Sequence, residues 1–453
     1  MKLLFVIPEY PPYSGGGIAT FYQNLLPQLT QQGHQVHVLA GSAFTSAHPG
    51  YESDGVTVEF LDPARVAANH RRFDRYRATP ELQRHLTAAW AAWEQLRGGQ
   101  GYDLVETTDW GLLFAPWVAA ADSPPTVVQL HASIGQIDAC DPRADLGLQS
   151  TLVRLLEMEL LAIADELQTL SHANAQAWQR LIGRQVHCIP PALSVETVGR
   201  SLQNEHAAPS IDPGKSSAGL VVGRIQYWKG PTVLCEALQQ LGDAAPVIDW
   251  IGRDTVFGKS GQSMAAYLKE TYPGIWGNKV RPVGTRSPQD TARLQAQAQF
   301  LLVPSVWDVF NYTCIEGMAQ AQTVLCSEGA GAAEWICDRH NGFTFGADDP
   351  TVLAEVLRAA MALRPEQQQH MGRAAQETAK TEFCPIAIAQ QRIQFYQQRI
   401  AQGKFSRAAN AWLLDAVMPQ KPLMQPLTFL DQLPLRELMD YLLQRSINKL
   451  TRS

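Results

Sequence analysis

The chain has 453 residues, 45% of them hydrophobic and 18% charged, an ordinary globular balance. That length exceeds one hydrophobic core and predicts two domains. A net charge of −6 supplies no global basic field, which argues against nucleic acid as a partner while leaving room for an anionic small substrate met by a few local cations.

Residues 2–7 read as a first strand, too short to be a signal core or a membrane span. Residues 9–17 form its loop, and residues 18–32 a helix with an apolar stripe at Phe21, Leu25, Leu26 and Leu29. Gly33 breaks the helix, and residues 34–40 form a second strand. Strand, helix and strand in so short a span make a βαβ unit, which implies a parallel sheet. The pattern recurs as strands at 104–106 and 125–130, a helix over 151–164, a strand at 167–170, a helix from His172 and a strand at 186–189. Pro190-Pro191 ends this half, and the polar stretch 194–217 reads as a linker or exposed loop. A second alternation follows, with strands at 219–222, 247–252, 280–283, 300–303 and 324–326 and a helix from Thr232. The expected fold is α/β: two doubly wound, Rossmann-like parallel-sheet domains facing a central cleft. The expected divisions are 1–192, a linker at 193–217, a second domain at 218–384, a returning helix at 385–402 and a helical tail at 403–453.

Seven scattered cysteines include no CxxC pair, and no histidine stands at finger spacing, so no metal site is expected. The odd count and the lack of a signal sequence predict a cytoplasmic protein.

The run from Val303 to Ala319 is the most informative in the chain. It passes from an apolar strand into a loop carrying Asp308 and then into a helix carrying Glu316. In an open α/β sheet, ligands sit at that strand mouth. Arg224 and Lys229 lie in the loop before a helix starting near Pro231, placed to neutralise a diphosphate beside a helix N-terminus. Gly15-Gly16-Gly17, between a strand and a helix, allows close backbone approach to a ligand or serves as a tight turn. It is neither a dinucleotide fingerprint nor a Walker loop. His131 ends a strand and is as readily structural as functional. Asp109 has a similar place with less behind it, and His34 is expected to be bland. Glu316 sits among Cys314, Ile315, Met318 and Ala319, where a carboxylate needs a partner.

The Trp-bearing helix with Leu82, Leu86, Trp90 and Trp93 follows a segment holding Arg65, Arg71, Arg72, Arg75 and Arg77. Core packing with a solvated flank is the plainer reading; contact with an anionic acceptor or a membrane surface is the other. A tail helix from Pro434 carries Leu435, Leu438, Met439, Leu442 and Leu450 along one stripe, to pack on the body or in a homodimer.

Together with Pro11–Gly17, the runs Leu170-Ser-His-Ala-Asn174, Val222–Gly230, Trp250-Ile-Gly-Arg-Asp254 and Asn341-Gly-Phe343 resemble the retaining, nucleotide-sugar-dependent glycosyltransferases of family 4, which have the two-domain GT-B fold. The resemblance covers about residues 1–400 and implies the following roles. Gly15, Gly16 and Gly17 would face the donor phosphate and the acceptor. Arg224 and Lys229 would bind the diphosphate, and Glu316 the ribose. His131 would lie beside the transferred sugar. The family's E-x7-E motif stands here as Asp308 to Glu316, with Phe310, Asn311 and Tyr312 lining the donor site. Its first Glu is a shorter Asp, its Gly after Phe is Asn311, and its Gly-Gly is Ala330-Gly331 ahead of Glu334.

The resemblance implies transfer of a hexosyl group from a nucleoside-diphosphate sugar, used as co-substrate, to a hydroxyl acceptor that is a glycan, lipid-linked or small. No cofactor or metal is required, and localisation is cytoplasmic or at the inner membrane face. The competing expectations are a GT-B relative such as a phosphorylase or epimerase, and a non-catalytic sugar-nucleotide or glycan-binding subunit.

Overall fold

The computed structural model describes residues 1–13, 15–44, 46–141, 147–195, 217–257, 261–405, 411–420 and 434–450. Most of the expected linker and parts of the tail lie outside the described residues.

The first sheet has eight strands: β1 (Lys2–Ile7), β2 (Gln35–Ala40), β3 (Tyr51–Ser53), β4 (Val56–Phe60), β5 (Leu104–Thr108), β6 (Thr126–Gln129), β7 (Glu166–Thr169) and β8 (His187–Cys188). Their spatial order is β3-β4-β2-β1-β5-β6-β7-β8. All neighbours are parallel except β3 and β4. The second sheet contains β9 (Gly219–Val222), β10 (Ile248–Ile251), β11 (Val280–Gly284), β12 (Phe300–Val303), β13 (Val324–Ser327) and β14 (Phe343–Phe345). It is parallel throughout, in the order β11-β10-β9-β12-β13-β14. Parallel strands buried on both faces read as continuous apolar runs, and Leu3 to Ile7 and Phe300 to Val303 are buried at every position. These are two parallel-sheet domains with a cleft between them, the GT-B-like arrangement that the resemblance implies.

The hairpin β3–β4 is absent from the sequence reading. It turns on Asp54 and Gly55, whose φ values of 53° and 76° suit an Asp-Gly turn between twisted strands. The helices Met264–Thr271 and Pro288–Gln297 are also additional, each capped by a serine hydroxyl, Ser263 and Ser287.

The returning helix, Pro385–Gln402, lies on the first domain and is anchored by a buried charge. Arg392 and Glu106 are both fully buried and pair at 3.1 Å. Arg392 also donates to Gln129 at 2.7 Å, while Tyr22 and Tyr396 donate to Glu106 at 2.9 and 2.5 Å. Such a pair is tolerable in a core only with further hydrogen bonds, and the Glu106 carboxylate has two from the tyrosines.

The domains also touch directly. Ser171 Oγ donates to the carbonyl of Val309 at 2.7 Å. The Glu334 carboxylate accepts from the amides of His172 and Ala173 at 2.9 and 2.6 Å, capping the helix His172–Ile182 from the other domain. Gly331 must lack a side chain here, because a Cβ would meet Val309 O at 2.2 Å and Ser171 Oγ at 2.5 Å.

The Trp-bearing helix, Pro80–Gln95, buries Leu82, Leu86 and Trp90 in the core, and several neighbouring arginines are used internally. Arg72 pairs with Glu94, Arg77 pairs with Asp74 at 3.2 Å, and Arg75 donates to the carbonyls of Ala416 and Met418. Arg65, Arg71 and Arg77 remain exposed, so the segment shows a packed helix with a solvated basic flank. His34 is hydrogen-bonded to the N-terminal amine at 3.1 Å. The tail helix Leu435–Leu450 has no buried residue among those described. Among the described residues no helix is long and apolar enough to cross a membrane.

Candidate active site

Strands β9 and β10 end alike, each passing into Gly-Arg: Gly223-Arg224 and Gly252-Arg253. Ile225 N donates to Arg253 O at 2.9 Å, which places the two turns side by side. Arg253 repels Arg224, while the carboxylates of Glu9 and Asp308 act on it in the opposite sense. Arg253 was not singled out from the sequence. The repeated Gly-Arg after neighbouring parallel strands is the signal that could have found it.

Beyond Arg224 a short helical turn, Tyr227–Lys229, leads to Gly230 and the helix Pro231–Leu241. Gly230 has φ 76°, and a Cβ on it would meet Pro304 O at 1.8 Å, so only glycine lets this loop close on the end of β12. That closure brings Lys229 onto Asp308. The two form an ion pair, and Asn311 Nδ2 donates to Asp308 Oδ2 at 3.0 Å. Two residues expected to hold different parts of a ligand, diphosphate and sugar, are thus joined to each other in this structure.

Asn311 adopts φ 97° as the residue before the helix Tyr312–Ala319. The left-handed region is costly for a side chain other than glycine, although asparagine is among the residues that tolerate it best. Thr313 Oγ1 donates to Val222 O at 3.2 Å, tying this helix start to the end of β9. Glu316, three residues beyond Thr313, accepts from Gln295 Nε2 at 3.4 Å, and burial raises the pKa of its carboxyl. The expected need for a partner is met by Gln295, on the helix Pro288–Gln297.

The other wall comes from the first domain. His131 follows β6, and its backbone N donates to Asp109 Oδ1 at 3.0 Å. Its ring stands edge-on to Phe21 and Tyr22, with centroids 4.9 and 5.6 Å away. Burial, reinforced by the charge of Arg392, lowers its pKa to about 3. The imidazole is therefore neutral at physiological pH, a hydrogen-bonding group rather than an acid. Asp109 and Glu157 hold the loop that follows. Asp109 also accepts from Ala132 N at 3.3 Å, and Glu157 accepts from the amides of Ile134 and Gly135 at 3.0 Å each. Burial raises these two carboxyls to about 7 and about 8. Glu157 escaped the sequence reading, although a carboxylate between Leu156 and Leu160 on a helix is a visible anomaly.

The glycine loop stands between β1 and the first helix. Gly17 opens the first helix, and the Cβ positions of Gly15 and Gly17 face open space. The helix end itself is engaged: Ala19 N donates to Glu9 Oε1 at 3.3 Å, and a Cβ on Gly16 would lie 2.6 Å from that oxygen.

His131 Nε2, Asn311 Oδ1 and the Tyr312 hydroxyl are buried without a hydrogen-bond partner. Unsatisfied buried polar atoms are costly, and such atoms are accounted for where a ligand or water completes them. Phe310 is buried against Trp335 and Phe383, with ring centroids 5.4 and 5.9 Å away, and so shapes the loop from behind. Among the described residues no three His, Cys, Asp or Glu side chains gather to hold a metal ion.

Two family models match the chain in tandem, glycosyltransferase family 4 over residues 15–197 and glycosyl transferases group 1 over residues 203–378. The chain is 26% identical over 276 residues to a D-inositol 3-phosphate glycosyltransferase of Xylanimonas cellulosilytica, covering 58% of this chain and 64% of that protein. It is 25% identical over 411 residues to a glycogen synthase of Mycobacterium tuberculosis, covering 87% of this chain and 94% of that one. Among solved structures, sucrose-phosphate synthase from Thermosynechococcus elongatus aligns with a TM-score of 0.66 at 17% identity, over 89% of this chain and all (100%) of that one. Anabaena HepE in complex with UDP-glucose aligns with a TM-score of 0.61 at 18% identity, over 88% of this chain and 100% of that one. At such identities the structural likeness concerns the fold alone.

Proposed function

We propose, for a chain that belongs to the glycosyltransferases of GT-B fold, that it transfers a hexosyl group from a nucleoside-diphosphate sugar to a hydroxyl acceptor with retention of configuration, as a member of family 4. The observation that carries this reading is the gathering of Arg224, Arg253 and Lys229 at adjoining strand ends, beside the start of the helix Tyr312–Ala319.

Cleaving the bond between the anomeric carbon and the diphosphate leaves its electron pair on a phosphate oxygen. Three cations and a helix N-terminus stabilise that charge in place, with little reorganisation. Glu316 accepts from the ribose hydroxyls. Asp308, released from Lys229 when the diphosphate takes over that cation, accepts from a hydroxyl of the sugar. Neutral His131 offers Nε2 to the same sugar. The acceptor hydroxyl attacks on the face the phosphate leaves, and its proton passes to the departing phosphate oxygen, so no protein nucleophile is used. Closure of the domains expels water and suppresses hydrolysis of the donor. In this reading side chains suffice for the leaving charge, so activity survives EDTA.

The test is product mass spectrometry after incubation with UDP-, GDP- and ADP-sugars and mixed acceptors, with NMR of the new anomeric proton. Transfer with the donor's configuration supports the proposal. An inverted product overturns retention, and nucleotide binding without turnover favours a binding subunit.

A further inference from the structure

Between the domains lies a cavity of about 200 Å³ whose lining includes none of Arg224, Lys229, Arg253, Asp308 and Glu316. One wall is the helix Ile134–Cys140 and its C-cap, presenting Ile137, Asp138 and Asp141; the other presents Gln226, Tyr227 and Phe257. Tyr227 and Phe257 are stacked, with ring centroids 5.8 Å apart and planes 5° from parallel. Gln226 is only 8% exposed, and its Oε1 has no hydrogen-bond partner. Asp138 accepts from the Ser150 hydroxyl, which orients its carboxylate.

The location matters as much as the lining. Gln226 and Tyr227 belong to the loop between Arg224 and Lys229, and Ile137 and Asp138 follow the loop that His131 begins. The cavity is thus framed by segments that continue from both walls of the reaction site.

Resting on the transfer reaction proposed above, we propose that this cavity is the acceptor subsite and that it takes one neutral, hydroxyl-rich ring of a carbohydrate. Carboxylates accept from hydroxyls, and an amide both accepts and donates. The aromatic rings offer an apolar wall to the C–H face of a sugar. Two carboxylates at the same opening repel a phosphorylated acceptor. The volume falls below the roughly 300–1,000 Å³ of drug-sized pockets, which suits one ring rather than a chain.

The experiment compares glucose, maltose and myo-inositol with glucose 6-phosphate and inositol 3-phosphate as acceptors, in the wild type, Tyr227→Ala and Asp138→Asn. Calorimetry with UDP, GDP and ADP runs in parallel. The neutral acceptors should be preferred, and each variant should raise the acceptor KM by about tenfold or more while nucleotide affinity holds. An unchanged acceptor KM, a preference for the phosphorylated compounds, or an equal loss of nucleotide affinity (which would put the base in the cavity) overturns the assignment. Tyr227→Leu replaces Tyr227→Ala if the latter fails to fold. If the wild type transfers from no donor, the transfer reaction itself has failed. Saturation-transfer NMR with the same neutral sugars then decides the cavity separately: a signal lost in Tyr227→Ala supports it, and no Tyr227-dependent signal overturns it.

Discussion

Replacing Asp308 by asparagine should tighten the binding of free nucleoside diphosphate while crippling transfer. Lys229 is paired with Asp308 in this structure, and the two side chains are only 21% and 18% exposed. An exposed pair is worth about 0–1 kcal/mol, whereas a charge-assisted hydrogen bond withdrawn from water is worth about 1.5–3 kcal/mol. At this burial roughly 1–2 kcal/mol is a fair range for the cost of separating them. Asparagine keeps the shape and removes the charge, so Lys229 becomes free to meet the diphosphate. If about 1 kcal/mol of that cost is returned on binding, Kd falls about fivefold. Transfer moves the other way, because a carboxylate no longer accepts from the sugar hydroxyl, and kcat should fall by tenfold or more, about 1.4 kcal/mol of lost transition-state stabilisation. Calorimetric titration of the wild type, Asp308→Asn, Lys229→Met and the double variant closes a double-mutant cycle. Weaker nucleotide binding in Asp308→Asn, or additive effects around the cycle, would refute the idea that Asp308 competes with the diphosphate for Lys229.

The remaining expectations concern the cations, the buried carboxyls and the returning helix. Arg224→Ala and Arg253→Ala should each lower kcat/KM by about tenfold or more, since a hydrogen bond to a charged group is worth roughly 1.5–3 kcal/mol, with melting little changed; normal turnover in the double variant removes both from the site. Asp109 and Glu157 have folded pKa values of about 7 and about 8, above their unfolded values. The folded state therefore binds more protons through this interval, so stability is full below about pH 4 as regards these groups and declines as pH rises toward about 8. Melting curves from pH 5 to 8.5 should show that decline in the wild type and a flatter profile in Asp109→Asn and Glu157→Gln; parallel profiles would count against it. Arg392→Met strands the buried Glu106 and should cost about 3–5 kcal/mol. The added change Glu106→Gln should recover part of that loss, because Tyr22 and Tyr396 still have an oxygen to donate to. Thermal unfolding of the single and double variants checks the order.

Two parallel-sheet domains were legible in the sequence because strands buried on both faces are written as unbroken apolar runs and the helices between them carry a separate period. The same pattern placed Arg224, Lys229, Asp308 and Glu316 at strand mouths and helix starts, since those positions follow directly from where a strand ends. Short range also hides things. The hairpin at Asp54-Gly55 is brief, and its outer strand, Tyr51–Ser53, has no buried residue. Only tertiary structure could decide which charges meet. Lys229 reaches Asp308, 79 positions away, because Gly230 allows the loop to close on Pro304. Arg392 meets Glu106 across 286 positions because the last long helix returns to the first sheet. His131 is neutral because of the rings and the cation packed around it. Periodicity is a property of neighbours along the chain, whereas desolvation and Coulomb interaction depend on neighbours in space, and a pKa or an ion pair exists only once the fold has chosen them.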